Sequence, residues 1–200
     1  MLRKAGMLAC VLGFAGFAVP ALAAGCPGCD KVTKTGQGFC CGKGETLGVK
    51  LTSQKLFDSL EGKKVDKTEI KCDGCKKAAT KGGSCDSCKK YFHDGKAYTS
   101  KIAVALAKGK PVSAEKAAQC AGCKTAHKQS TECTGCGVGF VASRKYKGED
   151  YKVALAAHKV LAKAVTTSKK CEACAVAMVT DGKCTQCNVS FKNGETVKKG

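Results

Sequence analysis

The chain has 200 residues, with 17 cysteines and 24 glycines but only 7 phenylalanines, 4 tyrosines and no tryptophan. So small a supply of large apolar side chains argues against a single large core, and modules of under about 50 residues commonly need disulfides or metal ions to hold a fold, so the cysteines are the expected scaffold. The formal net charge is +19, from 35 basic and 16 acidic residues, which points to anionic rather than cationic partners.

The first two dozen residues carry Arg3 and Lys4, an uncharged run from Ala5 to Ala24, and Ala21-Leu22-Ala23, small at both positions a signal peptidase reads. Residues 1–23 are therefore expected to be a secretory signal peptide, and the protein to be periplasmic or extracellular. A retained membrane anchor is the competing reading, opposed by Pro20 and by the cysteine-rich polar sequence that follows at once. No twin-arginine motif is present, so export is expected to proceed unfolded, with any metal acquired afterwards. Ala23-Ala24-Gly25-Cys26 also resembles a bacterial lipobox, which would make Cys26 a lipidated N-terminus anchored to a membrane. Without Arg3 and Lys4, 33 basic against 16 acidic residues leave +17. An anionic surface or a protein is the expected partner, and genomic nucleic acid is not.

Beyond that segment the chain repeats. Cys26, Cys72, Cys120 and Cys171 head four similar stretches at intervals of 46, 48 and 51 residues. The expected units are 26–71, 72–119, 120–170 and 171–200. Three share one pattern: Cys72-x2-Cys75-x9-Cys85-x2-Cys88, Cys120-x2-Cys123-x9-Cys133-x2-Cys136 and Cys171-x2-Cys174-x9-Cys184-x2-Cys187, each with a phenylalanine four residues on, at Phe92, Phe140 and Phe191. The first is degenerate: Cys26-x2-Cys29 is followed by adjacent Cys40 and Cys41, with Lys43 where a partner of Cys40 would stand. It admits a variant metal site, a disulfide or an acylated cysteine. The fourth reaches Gly200 soon after its aromatic.

After the cysteines come aromatic segments with turn residues, 89–98 and 137–146, which suit short β-hairpins (Asp94-Gly95 in one). Helices are expected next, over 54–60, 101–106 and 149–164. Thr52-Ser53 and Thr99-Ser100 supply N-cap signals, and Gly62 and Gly109 supply terminators. Leu56 and Leu60, Ile102 and Leu106, and Val153, Ala157, Val160 and Leu161 recur at helical spacing. Residues 109–119 and 165–170 read as linkers. The fold class is thus small, metal- or disulfide-stabilised α+β repeats, each a two-knuckle β-hairpin followed by a short helix.

Two CxxC turns brought together across an x9 spacer complete the tetrahedron that Zn²⁺ accepts, and four sulfurs leave no open position, which points to a structural metal. Such a site is worth roughly 10–16 kcal/mol, comparable to the whole stability of a small domain. Disulfides compete in an exported chain. Bridging one CxxC contributes only about 2 kcal/mol, and bridging across the spacer about 3. Three four-thiolate zinc centres, each of charge −2, would lower +17 to about +11. Lys71, Lys76, Lys77, Lys89, Lys90 and Lys124 flank the cysteines and favour their thiolates.

Other cysteine chemistries are disfavoured by neighbouring residues. Covalent haem needs His after CxxC, whereas Asp30, Lys76, Lys89, Lys124, Gly137, Ala175 and Asn188 stand there. The clustered Cys-Pro run of ferredoxins is absent. A thioredoxin-like role would need a CxxC opening a helix in a βαβ unit, and the hydrophobic strands for it are missing. His93, His127 and His158 read as surface or packing residues, His127 being the best substitute ligand. No catalytic set emerges, so no enzyme is expected.

Residues 72–92, 120–140 and 171–191, with a degenerate match at 26–44, resemble zinc-ribbon and rubredoxin-like knuckle modules in spacing. The zinc-ribbon resemblance implies a binding or scaffold module holding zinc. Rubredoxins hold iron for electron transfer in the same ligand set, and Cys133-Thr134-Gly135-Cys136-Gly137 looks like one of their knuckles, although their aromatic core is not evident. The cysteine-rich region of DnaJ-type chaperones also repeats CxxC, but its following Gly-x-Gly is lacking. Metal buffering is a further reading, opposed by the regular helices.

Overall fold

The computed structural model describes residues 38–40 and 42–197. The proposed signal segment, Cys26, Cys29 and Cys41 lie outside them. The described part is α+β: four antiparallel sheets and seven α-helices among the described residues. None of these helices is long and apolar enough to cross a membrane.

The first unit is a three-stranded sheet, β1 (Gly38–Cys40), β2 (Lys43–Thr46) and β3 (Val49–Leu51), followed by α1 (Gln54–Leu60). The second comprises β4 (Lys63–Lys64), a 3-10 turn (Lys67–Glu69), α2 (Asp73–Lys81), β5 (Gly83–Cys85), β6 (Lys90–His93), β7 (Lys96–Tyr98) and α3 (Lys101–Ala107), with sheet order β4-β7-β6-β5. The third repeats it as β8 (Lys110–Pro111), α4 (Ala114–Ala117), α5 (Ala121–Gln129), β9 (Glu132–Cys133), β10 (Val138–Val141), β11 (Arg144–Lys147) and α6 (Glu149–Ser168). Its sheet order is β8-β11-β10-β9. The fourth has α7 (Glu172–Thr180), β12 (Lys183–Cys184), β13 (Val189–Lys192) and β14 (Glu195–Val197), in that sheet order.

Each unit closes its main hairpin with two consecutive left-handed residues: Leu47-Gly48, Asp94-Gly95, Ala142-Ser143 and Asn193-Gly194. Two positive φ angles make the turn whose twist matches that of the flanking strands. The helix that follows is capped by serine where one stands ready, Ser53 Oγ accepting from Leu56 N (3.1 Å) and Ser100 Oγ from Ala103 N (3.2 Å).

Gly62 and Gly109 follow the C-caps Glu61 and Lys108 but lack the positive φ of a left-handed cap, so neither closes its helix in that way. Their role is steric. A Cβ on Gly62 would stand 2.4 Å from the Tyr98 ring, and one on Gly109 would stand 2.3 Å from the Tyr146 ring. The hydroxyl end of each tyrosine ring reaches the residue before the edge strand, and Tyr146 donates to Leu106 O at 2.8 Å.

The expectation of no large core is corrected. Helices α1, α3 and α6 each pack on their own hairpin, and α7 packs against all three, so first and fourth units are neighbours. A shared core results, with Leu56, Leu60, Leu106, Leu161 and Val179 essentially without exposure. Small residues make it feasible without many aromatics: Ala103, Ala154, Ala164 and Ala175 are fully buried, which lets the helices approach closely. Helix α7 (EACAVAMVT) is apolar around most of its circumference, as a central helix must be. Val153, expected on the apolar face of α6, is instead 53% exposed, because Ala154 and Ala157 take the buried stripe. The same helix runs to Ser168, through most of the expected linker.

Ser100 ties the second unit to the fourth. Fully buried, it donates to Val179 O at 2.6 Å while capping α3. Ser100→Ala leaves a buried carbonyl without its donor and removes the cap, so a loss of about 2–3 kcal/mol is expected in urea denaturation of the metal-loaded protein.

Candidate metal centre

The x9 spacer is not the hairpin loop that two facing knuckles would need. Nine residues suit a short helix, and in each complete unit the first CxxC opens one. Cys72, Cys120 and Cys171 are N-caps of α2, α5 and α7, placing Cys75, Cys123 and Cys174 in the first turn. The second CxxC is a true knuckle. It lies between paired strand ends, Cys85 opposite Lys90, and the residue after its last cysteine is left-handed at Lys89, Gly137 and Asn188.

Helix and knuckle bring the twelve sulfurs into three groups: Cys72, Cys75, Cys85 and Cys88; Cys120, Cys123, Cys133 and Cys136; Cys171, Cys174, Cys184 and Cys187. In each, all Sγ atoms lie within 4.8 Å of one another. Measured edges are 3.8 Å for Cys72–Cys85, 4.0 and 3.6 Å for Cys120 with Cys133 and Cys136, and 3.9 and 3.8 Å for Cys171 with Cys184 and Cys187. A tetrahedron with metal–sulfur bonds of about 2.3 Å has edges of about 3.8 Å, whereas a disulfide needs about 2.05 Å. Three four-cysteine sites able to hold a metal ion are therefore present. One sulfur of each, on Cys88, Cys136 or Cys187, is exposed, while Cys85, Cys133 and Cys184 are buried.

The first unit differs for a geometric reason. Cys40 pairs with Lys43 across β1 and β2, leaving two intervening residues where the other units have four, so this turn cannot carry a Cys-x-x-Cys knuckle. The doubtful fourth site, comprising Cys26, Cys29, Cys40 and Cys41, lies mostly outside the described residues.

Electrostatics single out one thiol per group. The N–H of Cys75, with hydrogen bonds from Cys88 and Cys85, holds Cys72 down to about 7. The N–H of Cys123, with a hydrogen bond from Cys136, does the same for Cys120, also to about 7. In the fourth unit the favoured thiol is Cys184, lowered to about 7 by the N–H of Cys187. Burial first, then neighbouring thiols, pushes Cys75 and Cys123 up to about 12, and raises Cys174. For Cys88 a hydrogen bond from Cys75 acts downward, but those with Cys72 and Cys85 and the Cys72 charge outweigh it, so it is raised.

The sign of the resulting pH dependence is fixed. Metal binding requires thiolates. At pH 8 an ion displaces protons from Cys75 and Cys88 but finds Cys72 already ionised, whereas at pH 6 Cys72 contributes a proton as well. Zinc uptake by the reduced protein should thus release about one more proton per ion at pH 6 than at pH 8, with affinity falling faster below pH 7. Calorimetry in buffers of differing ionisation enthalpy measures it.

The histidines stand apart from these groups. His127 Nε2 lies 2.9 Å from Val112 O, with its ring edge-on to Phe140 at 5.4 Å. His158 is half-buried on α6, and burial lowers its pKa. A CxxC at a helix N-terminus with one lowered and one raised thiol is also what dithiol redox chemistry uses. Here the described sheets are antiparallel throughout, and a second sulfur pair completes a four-sided cage around the first.

No protein-family model, curated protein or solved structure matches this chain.

Proposed function

We propose that the protein is an exported, non-catalytic metal-binding scaffold whose three four-cysteine centres hold zinc and whose basic exterior meets an anionic surface or protein partner. The observation that carries this reading is the triple recurrence of one sulfur cage with tetrahedral edges and no open coordination position. Closed four-sulfur coordination gives a metal no site for substrate, and its chemical contribution is to hold helix and hairpin together. The second and third units are accordingly each a helix-and-knuckle clasp on a β-hairpin, followed by a helix. The export reading rests on the sequence of residues 1–23, and the partner reading on the charge.

Native mass spectrometry of the reduced, zinc-reconstituted chain lacking residues 1–23 is expected to show three bound ions. Metal analysis and free-thiol counting on protein from its own compartment complete the test. A metal-free, fully disulfide-bonded species there would overturn the reading. A red, iron-loaded protein would replace zinc with iron and the scaffold role with electron transfer.

A further inference from the structure

The three centres share one ligand set but not one environment. The fourth is built into the shared core, where Cys174 and Cys184 are buried among α7 and its neighbours. The third is covered by α4, whose Ala117 is buried against the same small cluster as Cys133, with Cys120 and Cys123 at its edge. In the second unit the corresponding stretch between edge strand and first cysteine forms only the 3-10 turn Lys67–Glu69, which buries no residue. A groove of about 600 Å³ is left beside the sulfurs, and Cys72, Cys75 and Cys88 line it directly. Val65, Ile70 and Phe92 give it an apolar lining. Its rim mixes lysines (Lys63, Lys64, Lys71) with carboxylates (Asp58, Glu61, Glu69).

We infer that the Cys72 centre is the exchange centre of the molecule, and that the groove admits a thiol donor to its metal ion. This rests on the metal-binding reading above and adds which ion moves and by what route. A sulfur reaching in along the groove would approach the cysteine cage beside Cys88, the exposed member of the group. With an ion held by the four cysteines, an incoming thiol would take the place of Cys88 as ligand, and Cys88 Sγ would receive that thiol's proton. No electrons are exchanged, and four-sulfur coordination is kept throughout. An apolar floor with a rim of both charges fits an extended thiol-bearing peptide or a small zwitterionic thiol. At the other two centres α4 and the shared core pack against the cysteines in place of the 3-10 turn.

The test uses the full zinc-loaded chain, after native mass spectrometry has established three ions. It is incubated with free cysteine or with a metal-free four-cysteine zinc-finger peptide, with a chelating dye as final zinc acceptor. Released thiols are trapped by iodoacetamide and located by peptide mass. Cys72, Cys75, Cys85 and Cys88 are expected to become alkylated roughly tenfold or more ahead of the other eight, at a rate first order in donor. The faster donor identifies the source of the thiol. Ala97→Phe or Val65→Phe, each placing a ring in the groove, should slow that phase while three ions still bind. Loss at one common rate, loss led by the Cys120 or Cys171 group, or a rate independent of donor would overturn the inference and leave the metal-binding reading standing. A chain that binds no metal at all would undo that reading itself.

Discussion

Chelation of the zinc-loaded, reduced protein with excess EDTA is expected to melt the cysteine-bearing parts of the second and third units while α6 and α7 stay folded longest. The small clusters explain the order. Around the Cys72 group only Cys75, Ala78, Cys85 and Phe92 are buried, and around the Cys120 group only Ala117, Ala126, Cys133, Val138 and Phe140. Two ligands are themselves part of the first cluster, so apart from them only Ala78 and Phe92 are fully buried, with Val65, Ile70, Ala79 and Ala97 packed at its edge. No module of that size holds itself together, and the roughly 10–16 kcal/mol of a four-thiolate zinc site is the dominant favourable contribution there. The α1, α3, α6 and α7 core contains two ligands of the fourth centre, Cys174 and Cys184, but rests mainly on burial of Leu56, Leu60, Leu106, Leu161 and Val179, so chelation weakens it without unfolding it. Hydrogen exchange read by mass spectrometry should show residues 73–93 and 121–141 losing protection on chelation and the centres of α6 and α7 keeping it. Unchanged protection in 73–93 and 121–141 would exclude a structural metal.

How much of this was legible in the sequence follows from which contacts are local. The grouping of Cys72, Cys75, Cys85 and Cys88 and its two repetitions could be read from spacing, because the sulfurs are brought together by elements adjacent in the chain. Ser53 and Ser100 as N-caps, and the Asp94-Gly95 turn, were legible for the same reason. Asn193-Gly194 carries an equally strong turn signal, while Ala142-Ser143 adopts the same geometry with residues that do not announce it.

What spacing could not settle was the conformation of the x9 spacer. Nine residues reverse a chain as easily as they form two and a half helical turns, and α2 and α5, rich in lysine, threonine and glycine, lack a long apolar stripe. The shared core was hidden for another reason. It unites α1 with α7, more than a hundred residues apart, using alanines that composition treats as neutral. Helix α7 carried a signal that could have revealed this: Ala175, Val176 and Val179 stand where the equivalent helices have lysine or threonine, and Met178 where they have alanine or histidine, which marks one repeat as central rather than peripheral.

That asymmetry makes the same substitution unequal in different repeats. Cys85 and Cys184 hold equivalent places, each ending the strand that enters the knuckle, and each is almost without exposure, at 4% and 1%. Replacing either by serine should reduce the zinc content from three ions to two. Cys85→Ser is expected to affect mainly its own small cluster, leaving the main urea transition within about 1 kcal/mol of the parent, because distant sites combine additively. Cys184→Ser places a hydroxyl in the shared core, at about 1–3 kcal/mol, and removes the metal that clamps α7 to its hairpin. The metal adds to the apolar burial of α1, α3, α6 and α7 rather than replacing it, so the main transition should move to clearly lower urea than for Cys85→Ser while the core still folds in water. Cys187→Ser separates the two causes. That sulfur is exposed, so its loss removes the ion without placing a polar atom in the core. It should weaken the main transition almost as much as Cys184→Ser if the metal is what holds α7, whereas a transition close to the parent's would assign the stability of the centre to apolar burial alone.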